Sequence, residues 1–522
     1  MRLIPSSRAG MLVRFALAAF IVIGSAGATT AVGGLLQFKQ IAHYLSVTPA
    51  LPKSTPVTIP SPGNPQTLLL IGSDHRAGTS FSSANTDTMM LVRIDPSSKT
   101  INLLSVPRDL EVQIPEGGAE ATGKLNSAYS IGGPGLLVTI LKQQVFPGIQ
   151  INHIIDVNFG GFEDLVNAVG CVYGDVDHRY YNNTALTDYS SINLEPGYQK
   201  MCGINALQFV RFRHTDTDIV RNARQQDFLR WAKDQFSPTQ IVEERDTLLK
   251  IFGEHAQTDA NLHTTDGLIN LFNLVAFSAG HQVKQIPFPA ILLPCAPVSP
   301  TANSATQQTP CYVTANSGAE QAAFNAFMTP TTSQPKPAGV SLGGPSAGAA
   351  KSGGKSGGGV PGLTADVSDG VAQAKALGPT GIPIYYPKLI VTGSQYCSDN
   401  TSVCSTEEGA GTGYYPRAYF INDRKGVAHY SYRMTLVLNP VLDQYYGVQG
   451  TTWLNPPILN SPSATKTVNG KTLLLYTNGS QLALVAWRTS QGAYWISNDL
   501  TDDISNRQMV AIAASLTRAG GN

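Results

Sequence analysis

Apolar residues recur at two spacings along this chain, and the change from one spacing to the other marks out its elements. Thr67-Leu-Leu-Leu-Ile-Gly72 is a short apolar run closed by glycine, which predicts a buried strand. Thr88 to Ile94 and Thr100 to Val106 predict two neighbouring strands joined by the turn Asp95-Pro-Ser-Ser-Lys99. Gly132 to Val145 and Phe162 to Val169 have helical spacing, with a strand from Ile151 to Asn158 between them. Asp218 to Phe236, Gln240 to His255 and Asp266 to Ala279 again place apolar residues at helical spacing. Strands alternating with helices predict an α/β fold, an α+β sandwich. From Ile382 the pattern changes to aromatic and β-branched runs at Tyr385-Tyr386, Tyr414 to Asn422, His429 to Leu438, Thr472 to Tyr476 and Leu482 to Trp487. With a closing helix from Ser505 to Arg518, these predict a small mixed β domain.

The segments between these elements set the organisation. Phe15 to Phe38 carries no charge, follows Arg2, Arg8 and Arg14, and is long enough to cross a bilayer. The arginines put residues 1–14 in the cytoplasm and everything after residue 38 outside, as a single-pass membrane protein. A cleaved signal peptide, with Ala26-Gly-Ala28 at its cleavage site, is the other reading, and it exports the same chain. Six prolines between Pro49 and Pro65 predict an extended stalk over residues 39–66 without a core of its own. Thr329 to Leu363, rich in Pro, Gly and Ser, predicts a flexible linker, leaving 67–328 as the main domain and 364–522 as a carboxy-terminal one. Gly353-Gly-Lys355-Ser356 lacks the strand and helix that would make it a phosphate loop.

Thirty-six basic against 35 acidic residues give a net charge of +1, which argues against a nucleic-acid binder. Six cysteines fall into near-neighbour pairs, 171 with 202, 295 with 311 and 397 with 404, none with zinc-site spacing. In an oxidising compartment these read as three local disulfides; free buried thiols are the alternative. Tyr445, Tyr446, Trp453, Trp487 and Trp495 suit either a sugar-stacking face or an aromatic core.

Only 14% of residues are charged, so local crowding of charge stands out. Arg211 and Arg213 point the same way if their segment is extended, while Arg221, Arg224, Gln225 and Phe228 share one face of a helix. Guanidiniums repel one another unless an anion sits between them, and their planar fork matches phosphate oxygens. An exposed basic helix partnered by Asp216, Asp218 and Asp227 is the plainer alternative. Asp74 follows the first strand, Asp87 precedes the second and Arg108 follows the third. Magnesium is held by one or two carboxylates plus phosphate oxygens, a role open to Asp74 and Asp87, as are those of turn and cap residues.

Leu70-Ile-Gly-Ser-Asp74-His-Arg76, Thr86-Asp87-Thr-Met-Met-Leu91, Ser105-Val-Pro-Arg108-Asp109, Lys124-Leu-Asn126-Ser-Ala-Tyr129, Gly132-Gly-Pro134, Val210-Arg211-Phe-Arg213 and Arg221-Asn-Ala-Arg224-Gln225-Gln226 follow one another in the order seen in the LytR-CpsA-Psr family. The chain resembles that family over about residues 67 to 240. The resemblance implies a membrane-anchored phosphotransferase that moves a glycopolymer from a polyprenyl-pyrophosphate carrier to peptidoglycan through a phosphodiester. It implies Asp74 and Asp87 as magnesium-linked carboxylates, with Asp74, Asp87, Arg108 and Arg213 catalytic. Arg76, Arg108, Arg211, Arg213, Arg221, Arg224 and Gln225 would bind pyrophosphate. One position departs: Asn85 stands where the family usually has an arginine. A scaffold that binds polyprenyl phosphates or wall glycans without turnover is the alternative function.

Overall fold

The computed structural model describes residue 43 and residues 48–520, apart from 53–54, 76–79, 99, 117–118, 184–190, 213–216, 236–243, 265, 268–269, 272–273, 275–281, 294–311, 330–340, 343–359, 399–403, 405–413 and 461. The anchor expected over residues 15–38, the Cys295–Cys311 pair and most of the linker lie outside the described residues. Among the described residues no helix is long and apolar enough to cross a membrane.

The elements that matter below are, in chain order, β1 (Gln66–Ser73), β2 (Thr86–Asp95), β3 (Thr100–Ser105), α1 (Leu125–Ile140), β4 (His153–Asn158), α2 (Phe159–Ala168), β5 (Val172–Val176), β6 (Gly197–Met201), α3 (Gly203–Arg211) and α4 (Asp218–Gln235). They continue with α5 (Arg245–His255), β7 (Ala256–Thr258), β8 (Gln282–Ile286), α6 (Ser317–Met328), α7 (Val367–Ala376), β9 (Arg417–Asn422) and β10 (Ala428–Asn439). The last are β11 (Gln444–Thr451), β12 (Ala464–Val468), β13 (Lys471–Asn478), β14 (Gln481–Arg488), β15 (Ala493–Ser497) and α8 (Asn506–Ser515). They form two compact units, each built from two stretches: residues 1–169 with 236–350, and residues 170–235 with 351–522. The division passes through 67–328, which the apolar pattern reads as one domain.

The first unit centres on a six-stranded sheet in the order β7-β4-β1-β2-β3-β8. The β1-β2-β3 meander is antiparallel, and β4 and β8 join it in parallel to β1 and β3. Nearly every residue of β1 and every residue of β3 is buried, so both faces are covered, as in an α/β sandwich. Helix α1 starts earlier than expected, at Leu125, and is interrupted at Gly132 and Gly133. Gly133 has φ +62°, where a side chain would be strained, and an added Cβ would lie 3.0 Å from the Phe81 ring. Pro134 then restarts the helix, a position that needs no N–H donor. Part of the expected stalk is folded down: Leu51 is buried, its N–H donates to the Thr258 carbonyl, and the Thr58 N–H donates to that of Ile151. The prolines leave few donors in this segment, but its leucine still gains by burial.

The second unit is an antiparallel sheet running β10-β11-β15-β14-β13-β12, with β9 paired to β10. One face carries Tyr432, Met434 and Leu436 of β10, Tyr446 and Val448 of β11, and Tyr494 and Ile496 of β15. Ala374 of α7 and Met509, Ile512 and Ala513 of α8 cover that face. Tyr445, Tyr446, Trp487 and Trp495 are thus core residues and not a sugar-stacking face. A disulfide joins Cys171 to Cys202 beside the β5–β6 ladder, and another joins Cys397 to Cys404.

Candidate active site

The residues singled out by charge and motif fall into two groups, one in each unit. In the first unit, β1 and β2 end side by side, with Ser73 opposite Thr86 after a register shift at Gly72. Asp74 follows immediately and is exposed. Its Oδ1 accepts the Asn85 main-chain N–H at 2.5 Å and its Oδ2 accepts the Asn85 side-chain amide at 3.4 Å. The residue that departs from the family pattern therefore holds Asp74 in place. Asp87, one strand over, is ion-paired with Arg108, whose main chain sits just beyond β3. The side chains of Arg108 and Asp87 are 22% and 9% exposed, so water reaches the pair from one side. Asp109 is buried beside it and takes Lys124 Nζ at 3.2 Å.

A feature that the motifs did not single out lies under this edge. Asp156 on β4 is buried, accepts the Ser73 hydroxyl at 2.6 Å on one oxygen and the Tyr129 hydroxyl of α1 on the other. Burial pushes its carboxyl up to about 6, against the lowering effect of the two hydroxyls and of His75. Burial and the neighbouring Asp156 likewise raise the Tyr129 phenol far above its ordinary value. His75 stacks on Phe81 with ring centroids 4.0 Å apart, and Phe81 meets Tyr129 edge-on. The sequence signal was a lone carboxylate in the apolar strand Ile154-Ile-Asp-Val. That is an expensive place for a charge unless hydroxyls solvate it.

In the second unit, Arg211 closes the last turn of α3 and is half-buried, so its segment is helical and not extended as expected. Arg221, Arg224 and Gln225 lie on the first half of α4 and are buried. Arg221 is ion-paired with Asp218 one turn earlier. Arg224 donates through Nη1 to the carbonyls of Phe209 at 3.1 Å and Phe212 at 2.8 Å, and through Nε to the Tyr180 hydroxyl at 3.2 Å. Gln225 donates to the Val210 carbonyl at 3.0 Å. Both side chains satisfy carbonyls at the C-terminal end of α3, which would otherwise lack partners. They fix the turn that carries Arg211. Arg76 and Arg213 lie outside the described residues.

Among the described residues no group of three or more His, Cys, Asp or Glu side chains converges as a metal cage. Asp74 and Asp87 are hard oxygen donors on adjoining strand ends, and Asp74 keeps an exposed carboxylate, a donor set that fits magnesium shared with a phosphorylated substrate.

The model of the LytR_cpsA_psr family matches residues 39–304. The polyisoprenyl-teichoic acid–peptidoglycan teichoic acid transferase TagV of Bacillus subtilis is 28% identical over 265 residues, 49% of this chain and 65% of that protein. The transferase TagU of Oceanobacillus iheyensis is 30% identical over 210 residues, 39% of this chain and 61% of that protein. The probable cell wall biosynthesis protein LcpB of Corynebacterium glutamicum is 32% identical over 173 residues, 31% of this chain and 39% of that protein. The chain thus spans less than two thirds of the length of each of these relatives. Among solved structures, B. subtilis TagV is similar over 51% of this chain and 97% of its own, with 21% identity and a TM-score of 0.39.

Proposed function

Because this chain belongs to the LytR_cpsA_psr family, whose model matches just over half of it, we propose that it transfers a glycopolymer from a polyprenyl-pyrophosphate carrier to peptidoglycan. The observation that carries this reading is the pair of carboxylates at adjoining strand ends of the first unit, Asp74 exposed and Asp87 half-wet and ion-paired with Arg108. The names of TagV and TagU, teichoic acid transferases acting on peptidoglycan, support the substrate class.

The reaction joins a peptidoglycan hydroxyl oxygen to the phosphorus that bears the glycopolymer. The bond from that phosphorus to the bridging oxygen breaks, and polyprenyl phosphate leaves with the electron pair. Such a transfer needs positioning and charge neutralisation more than covalent chemistry. By motif position, Arg108, Arg211, Arg213 and Arg221 are the assigned sources of positive charge, with Arg76 two residues after Asp74. Arg224 and Gln225, engaged with main-chain carbonyls, tie the C-terminal end of α3 to α4. A magnesium ion held by Asp74 and Asp87 would neutralise charge on the diphosphate. Asp74 and Asp87 are the two candidate bases for the hydroxyl proton. We read residues 15–38 as a membrane anchor that leaves residues 1–14 in the cytoplasm and the chain after residue 38 outside the cell membrane, where the polymer and peptidoglycan meet.

The second reading, a scaffold that binds without turnover, is favoured by one observation: Asp74 and Asp87 already hold Asn85 and Arg108. The full chain, incubated in detergent with a polyprenyl-diphosphate-linked glycan, peptidoglycan oligomers and magnesium, separates the two. Release of polyprenyl phosphate that is abolished in Asp74→Ala and Arg221→Ala supports transfer. Binding of the donor with no release under any divalent cation supports the scaffold.

A further inference from the structure

In an antiparallel sheet with helices on one face, the other face ordinarily meets water and is polar. The carboxy-terminal sheet follows this rule in sequence and breaks it in burial. Opposite its helix-covered face, β10 carries Ser431, Arg433 and Thr435, β11 carries Gln449 and Thr451, and β15 carries Trp495 and Ser497. Arg433, Gln449 and Trp495 stand in cross-strand register, and their relative exposures are 1%, 0% and 0%. What covers them belongs to the chain's earlier stretch. Asp175 of β5 accepts Arg433 Nη1 at 3.1 Å on both oxygens and Trp495 Nε1 at 3.0 Å on one. The Thr435 hydroxyl donates to the Asp177 carbonyl at 3.2 Å, and Tyr198 of β6 meets Trp495 edge-on at 5.5 Å. Gly447 leaves room for the guanidinium: an added Cβ would lie 2.7 Å from Arg433 Cζ.

Strand β5 is the middle layer of this unit. Its residues alternate, so that Tyr173 and Asp175 face the sheet while Gly174 faces α4. Tyr173 donates its hydroxyl to the Asn422 carbonyl and meets Trp453 edge-on at 5.3 Å. On the other side, a Cβ at Gly174 would lie 2.5 Å from the Trp231 indole of α4. Gln235, the last residue of α4, grips Tyr173 by both its N–H and its carbonyl. The helix that carries Arg221 and Arg224 therefore rests on a strand whose far side is bonded to the carboxy-terminal sheet.

We infer that residues 351–522 serve as the seat of the arginine helix, and that Asp175, held by Arg433 and Trp495, is a positioning residue for the guanidiniums of α4. As a claim about diphosphate binding it rests on the functional reading above; as a claim about assembly it does not. The carboxy-terminal segment is then neither a tethered accessory nor dispensable. An α4 that loses this support keeps its arginines but not their places.

The test uses the full chain with a protease site placed within residues 351–359, cleaved after folding. The fragments 1–350 and the remainder co-elute in native gel filtration if the earlier stretch is built into the carboxy-terminal sheet; separation of the two overturns the inference. The uncleaved chain is then titrated with inorganic pyrophosphate, which serves as probe. Arg433→Met lowers its affinity at least tenfold, and the paired neutral variant Asp175→Asn/Arg433→Gln, which leaves no lone buried charge, restores most of it. Unchanged affinity in Arg433→Met, at whatever stability, overturns the positioning role. Failure of the wild type itself to bind pyrophosphate counts against the functional reading, and co-elution then decides the inference alone.

Discussion

One arginine–aspartate pair from each unit, Arg433–Asp175 and Arg108–Asp87, can be set side by side, and the two are built differently. Arg433 and Asp175 are 1% and 3% exposed, and further hydrogen bonds run to Ser497, the Asp177 carbonyl and Trp495, with Arg433 Nε left without a partner among the described residues. Arg108 and Asp87 are 22% and 9% exposed. Asp87 stands on β2 and Arg108 beyond β3, at a strand end and not in the middle of a layer. The same two side chains thus serve as a dry structural joint in one place and as a wet pair in the other. A dry pair is costly to open, because each partner is left charged in a medium that solvates it poorly. A half-wet pair exchanges partners readily, and a diphosphate with a cation is a suitable exchange for both: the arginine takes phosphate and the carboxylate takes metal.

The sharpest way to break this contrast is to remove one partner from each pair. Arg433→Met leaves Asp175 buried and uncompensated, and should destabilise the second unit by about 3–5 kcal/mol. All four tryptophans, 231, 453, 487 and 495, belong to that unit, so the midpoint of fluorescence-detected urea unfolding reads it directly. Arg108→Gln should move the stability of the first unit by no more than about 1 kcal/mol, the usual worth of a pair open to water. It should nevertheless lower the rate of polyprenyl phosphate release by a factor of about 10²–10³, the typical loss of one preorganised charge donor. Equal losses of stability in the two variants would mean that the wet pair is structural too.

These two pairs also show what could be read in the chain beforehand. Arg108 and Asp87 were found because both sit at the ends of apolar runs, where a charge is not needed for folding and so draws notice. The alternation of strands and helices, the β2–β3 hairpin and the long arginine helix are legible for the same reason: period and punctuation are local. Arg433 and Asp175 were not, since they are 258 residues apart and each looks like the solvent-facing member of an alternating strand. Local pattern gave β10 a wet face, and only tertiary packing removed the water. For Arg224 and Gln225, helical spacing correctly placed them together on α4, but it could not show that they point back at the carbonyls of α3. Arg211 was misread as extended because a helix that ends within a residue or two carries no strong sequence mark there.

A third carboxylate, Asp156, sharpens the contrast from the other side, because it is buried without any basic partner in hydrogen-bonding contact. Among the described residues, Ser73 and Tyr129 solvate it. Its carboxyl is raised from 3.8 to about 6 in the folded chain. Between those two values the unfolded chain has released the proton while the folded chain retains it, so stability falls as pH rises from near 4 and is lowest above 6. The shift amounts to about 3 kcal/mol. Asp156→Asn removes the titration while its amide still meets the two hydroxyls. The measurement is amide hydrogen exchange in β1 and β4 at pH 4.5 and 7.5, each corrected for the intrinsic exchange rate. Wild-type protection should decline toward the higher pH relative to that of the variant. If the difference between the two proteins is the same at both pH values, Asp156 does not titrate in this range. The hydroxyls would then hold its charge as well as an arginine would.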